Sequence, residues 1–95
     1  MFQTIKVDEI IREALHNAVH PEIFDDCYVA IQKNLMPDWY RKEIGLSKVR
    51  LALTDTLDNG TPMGRAVAKR AAHSIVTKIV NAIEQESNTA TSDNS

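Results

Sequence analysis

The chain has 95 residues, 43% of them apolar and 25% charged, with a formal net charge of −2. That length and balance suit one folded domain rather than a disordered chain, and a net negative charge is not the footprint of a general polyanion binder. The single cysteine excludes an intramolecular disulfide, and no apolar run reaches the length of a bilayer span, so no membrane role is expected.

Residues 4–19 predict a first helix. Val7, Ile10, Ile11, Ala14, Leu15, Ala18 and Val19 recur on one face, with Glu9, Arg12, Glu13, His16 and Asn17 opposite. Thr4 is its candidate N-cap. Pro21 ends it by disfavouring α backbone at His20, and starts the next helix, where its missing N–H costs nothing. Ile23, Phe24, Cys27, Tyr28, Ile31 and Leu35 form the second apolar stripe.

Pro37 closes that helix and opens a short third one, with Asp38 in its first turn and Trp39, Tyr40 and Ile44 as apolar contacts. Gly45 suits the left-handed position that ends it. Ser47 reads as the N-cap of a fourth helix to about Leu57, in which Leu46, Val49, Leu53 and Leu57 repeat at helical spacing beside Ala52. Asp58-Asn59-Gly60 is the strongest turn signal, and Thr61-Pro62 marks the start of a last helix, Pro62 to about Glu86. Ser87 to Ser95 carries no apolar side chain beyond one Ala, too little to offset its ordering entropy. No segment has the period-two pattern of a strand. The expected fold is all-α: a small bundle of four to five helices in one domain, residues 1–86, with a disordered polar C-terminal tail, residues 87–95.

Three features bear on function. The segment Ile44-Gly45-Leu46-Ser47-Lys48-Val49 resembles the centre of a DNA-binding helix-turn-helix. The resemblance spans Asp38 to Leu57 and implies that the helix after Ser47 enters the major groove with Lys48 and Arg50 foremost. Arg41 stands four residues before the glycine, where that motif usually has a small residue, and Asp55 and Asp58 would repel phosphate. A basic strip forms the second feature: Arg65, Lys69 and His73 line one face of the last helix, with Arg70 and Lys78 further round. Its bland explanation is a solvated face.

The third is the apolar second half of that helix. Ala72, Ile75, Val76, Ile79, Val80, Ala82 and Ile83 span about 160° of arc, where one core face needs roughly 100°. The excess points to a protein interface at Val76, Ile79, Val80 and Ile83, a homodimer being the commonest form.

Weaker signals complete the reading. His16 and His20, four apart, could share a metal, but no third ligand stands at a recognisable spacing, and two exposed histidines explain them better. Cys27 lies within an apolar stripe and reads as a structural thiol rather than the partner of His73 in a catalytic pair. Gly60-Thr61-Pro62-Met63-Gly64-Arg65 lacks the lysine and spacing of a phosphate loop.

The first reading is a small non-catalytic regulatory or interaction protein of the cytoplasm, where nothing at the N-terminus resembles a signal peptide. It works by helix-mediated contacts with a protein partner or by self-association. The alternative is a helix-turn-helix-like DNA-binding regulator using Lys48, Arg50, Arg65, Lys69 and Arg70. An enzyme or metal protein built on His16, His20, His73 and Cys27 comes last. No cofactor, metal or small-molecule substrate is expected.

Overall fold

A computed structural model describes the backbone of residues 2–58 and 64–94, and the side chains of 7–58 and 64–86. Four α-helices and one 3-10 turn make up the fold: α1 (Phe2–Ala18), α2 (Pro21–Asn34), the 3-10 turn (Trp39–Arg41), α3 (Glu43–Asp58) and α4 (Arg65–Asn94). Each helix packs on the one before it, and α4 returns to pack on α1, so the four form a closed ring about one core. This is the all-α bundle that the periodicity predicts. The Asn59-Gly60 turn, the Thr61-Pro62 cap and the side chains of the 87–95 tail lie outside the described residues.

Local chemistry explains the boundaries. His20 is extended (φ −65°, ψ 146°), as a residue before proline must be, and Pro21 opens α2. Gly64 opens α4: its carbonyl accepts from the Ala68 N–H at 2.9 Å.

Between α2 and α3 the structure departs from expectation. The short third helix is only a 3-10 turn, and α3 starts at Glu43 rather than Ser47. Asp38 precedes the turn in the left-handed region (φ 58°), which Asp tolerates better than most residues. Gly45 is therefore not a helix end. It sits buried in the first turn of α3, where a Cβ would fall 2.7 Å from both the Cα and the carbonyl oxygen of Trp39. The glycine is required by close approach of two backbones, not by positive φ.

The core takes Ile11 and Leu15 from α1, Cys27 and Ile31 from α2, Trp39 from the turn, and Val49, Leu53 and Leu57 from α3. From α4 it takes Ala68, Ala72, Ile75, Val76, Ile79 and Ile83. Those six α4 positions fall within about 100° of arc, the width of one core-facing stripe. The interface expected at Val76, Ile79, Val80 and Ile83 is thereby corrected. Val76 and Ile79 have no exposed surface, Ile83 retains 6%, and Val80 packs half-buried against the same cluster. The sequence stripe reads as too wide because Val80 and Ala82 border it, and because α1 and α3 both flank α4.

A polar seam sets α1 against α2. The Tyr28 hydroxyl donates to Asp8 Oδ1, Gln32 Nε2 donates to the same oxygen at 3.1 Å, and Arg12 Nε donates to Asp8 Oδ2 at 2.9 Å. The Arg12 guanidinium lies over the Tyr28 ring, 4.9 Å from its centroid. Hydrogen bonds of fixed geometry give these two helices a register that apolar contact alone would leave loose.

Candidate functional site

Burial decides which side chains α3 and α4 leave for the outside. With Val49, Leu53 and Leu57 committed to the core, Ser47, Arg50, Leu51 and Thr54 fall on the flank of α3 that borders α4. With Ala68 and Ala72 committed, Arg65, Ala66, Lys69, Arg70 and His73 fall on the facing flank of α4. The two flanks form an open groove of about 830 Å³. Its walls are mainly carbon: Leu51, Ala66 and the aliphatic stems of the long cationic side chains. Leu51 remains 56% exposed there. Ile44, 60% exposed, stands two helical turns earlier on nearly the same side of α3.

The polar rim of the groove is cationic. Arg50, Arg65, Lys69 and Arg70 line it beside His73, and the carboxylates of Glu43, Asp55 and Asp58 stand at its edge on Arg50 and Arg65. Two of the cations are engaged. Arg65 bridges Asp55 at 3.0 Å and Asp58 at 3.3 Å, which raises its already high pKa, the hydrogen bond it donates to Asp55 contributing most. Arg50 Nη1 lies 3.3 Å from Glu43 Oε2, the oxygen that also accepts from Ser47 Oγ at 3.3 Å. Arg50 Nε is enclosed and without a hydrogen-bond acceptor among the described residues. Lys69 and Arg70 have no acidic partner among the described residues. Thr54 is buried, and its hydroxyl donates to the Arg50 carbonyl at 2.7 Å, so it is spent inside α3.

Of the predicted cationic positions, the fold brings Arg50, Arg65, Lys69 and Arg70 together and leaves exposed Lys48 outside the groove lining. It does not provide the helix-turn-helix frame. Gly45 and Ser47 both lie inside α3, and the eight residues from Leu35 to Lys42, including the 3-10 turn, separate α2 from α3. Leu51 and Ala66 were not among the predicted site residues. Leu51 was signalled by an apolar residue standing off the Val49–Leu53–Leu57 stripe.

The other candidates do not assemble. His16 stacks on Phe24 with centroids 4.2 Å apart, His20 is exposed, and among the described residues no three potential metal ligands cluster. Cys27 is enclosed in the core while His73 is exposed in the groove. Burial, with a smaller contribution from the neighbouring Asp26 charge, pushes the Cys27 thiol up from 9.0 to about 11. The folded chain therefore holds the thiol proton more tightly than the unfolded chain. The stability this contributes is present below about pH 9 and lost as the pH rises toward 11. Urea midpoints compared between the wild type and Cys27→Ala are expected to diverge over that range, the wild type falling faster. Parallel curves would show that the thiol is not enclosed.

Comparison with protein-family models, curated proteins and solved structures finds no match. Among the described residues no helix is long and apolar enough to cross a membrane.

Proposed function

We propose that this chain is a small non-catalytic interaction protein of the cytoplasm that docks a protein partner in the groove between α3 and α4. One observation carries the reading. Exposed Leu51 lies in the same concave surface as Arg50, Arg65, Lys69 and Arg70, and Lys69 and Arg70 have no acidic partner among the described residues. Exposed apolar surface beside arginines is a common makeup of a protein-binding patch. Covering Leu51 alone would stabilise a complex by about 1 kcal/mol, and the cations would steer the approach of a partner. The α4 stripe is not part of this surface, since its apolar residues are spent on the chain's own core.

Nucleic acid is the second reading, favoured by the four convergent cationic side chains Arg50, Arg65, Lys69 and Arg70. Opposing it, Asp55 and Asp58 occupy Arg65 at the rim. An exposed leucine in the groove also offers nothing to a row of phosphates.

The test is capture from an extract of the protein's own cell, with and without nuclease treatment. The baits are the wild type and the triple variant Leu51→Glu, Lys69→Glu, Arg70→Glu. All three positions are exposed, so the variant is expected to keep the wild-type circular dichroism spectrum. The expected result is a protein held by the wild type and lost from the variant. Identical retained sets on both baits would refute the groove as the docking surface. Retention that vanishes with nuclease would transfer the site to the nucleic-acid reading.

A further inference from the structure

Resting on the docking reading just given, we infer that the occupant of the α3–α4 groove is an acidic amphipathic helix of another protein. Its apolar side chains would cover Leu51 and Ala66, and its carboxylates would meet Lys69 and Arg70 and displace Asp55 and Asp58 from Arg65.

Length comes first. The lining runs from Ser47 to Thr54 on α3 and from Arg65 to His73 on α4. At 1.5 Å per residue this is a trough about 12 Å long, room for roughly two turns of a helix. Two neighbouring helices with exposed apolar side chains between them accept a third helix as a bundle accepts one more member, with partner anchors at i, i+3, i+4 and i+7. Ile44, further along α3, extends the apolar track beyond the groove itself.

Charge selects the partner's chemistry. Lys69 and Arg70 have no acidic partner among the described residues, and the carboxylates of Glu43, Asp55 and Asp58 are held by Arg50 and Arg65 instead. A neutral helix laid there would bring those two cations against apolar surface uncompensated. An acidic helix supplies the missing counter-charge at the rim, where it remains solvated. Arg65 behaves differently, because its own chain already satisfies it through Asp55 and Asp58 at 3.0 and 3.3 Å. These aspartates are intramolecular competitors for the position the partner's carboxylates would take. They lower affinity and penalise any partner whose charges are out of register. A row of phosphates meets the same two aspartates without the compensating apolar contact.

The probe is a surface-displayed library of helical peptides about 12 residues long, selected on the wild type and counter-selected on Lys69→Glu/Arg70→Glu. Enriched sequences are expected to place Asp or Glu three or four residues apart, flanking Leu, Ile or Phe. Binding of the best peptide is expected to weaken about tenfold in Lys69→Glu/Arg70→Glu and to fall with added salt. In Asp55→Asn/Asp58→Asn it is expected to strengthen about threefold. Enriched peptides that are neutral or basic, yet lose binding in Leu51→Glu, would overturn the acidic partner while leaving the groove as the docking surface. Failure to enrich any peptide would overturn the helix, and the extract experiment then decides the docking reading separately. Tighter binding of a short DNA duplex than of any peptide, lost in Lys69→Glu/Arg70→Glu, would overturn both in favour of nucleic acid.

Discussion

Ile79→Asp is expected to unfold the chain, and not to convert a dimer into a folded monomer. Ile79 has no exposed surface and lies in the middle of the α4 row that runs from Ala68 to Ile83. The substitution removes about 2–3 kcal/mol of apolar burial. It also places a carboxylate inside the apolar core cluster, and the chain must bury that charge or protonate it at a cost of several kcal/mol. A domain of this size has roughly 5–10 kcal/mol of stability in all. Far-UV circular dichroism at 25 °C is expected to show the loss of most helical signal. Leu51→Asp is the matched control, because Leu51 is 56% exposed and the same charge there stays in water. A native spectrum for Ile79→Asp, together with a smaller particle on gel filtration, would restore the interface that the sequence suggested for Val76, Ile79, Val80 and Ile83.

Gly45→Ala is the second large effect, and its sign runs against helix propensity. Inside an exposed helix the exchange would stabilise by about 1 kcal/mol. Here the added methyl would lie 2.7 Å from Trp39 Cα, 2.7 Å from its carbonyl oxygen and 2.9 Å from its Cβ. Two of those atoms are backbone, and that backbone is held at both ends. The Trp39 N–H donates to the Met36 carbonyl at 3.0 Å, and the Trp39 carbonyl accepts from Lys42 at 3.3 Å. The 3-10 turn must lift off α3 and carry the buried Trp39 with it. Overpacking of this kind costs about 1–3 kcal/mol. Set against the propensity gain, a net loss of about 1 kcal/mol would lower the Tm by about 4–8 °C. Because Trp39 is the chain's single tryptophan, its emission is also expected to shift to the red. A Tm at or above that of the wild type would mean that the two backbones do not approach as closely as described.

Gly45 also marks a limit of what sequence can say. A glycine that ends a helix in the left-handed region and a glycine that admits a neighbouring backbone look alike in one dimension. Only the packing of the turn on α3 separates them, and with it falls the helix-turn-helix resemblance. The α4 stripe failed for a related reason. The width of an apolar arc reports how many neighbours a helix has, not whether those neighbours belong to the same chain.

Local periodicity was enough to establish the all-α class, the proline boundary at Pro21 and the buried faces led by Ile11, Leu15, Ile31, Val49, Leu53 and Leu57, because 3.6 residues per turn puts those side chains on one side whatever lies opposite. Tertiary packing alone decided that α1 and α3 flank α4, and that Arg50 and Leu51 share one groove with Lys69 and Arg70. Spacing along a chain orders the residues of one helix, but which flank of a second helix faces them depends on how the whole core closes.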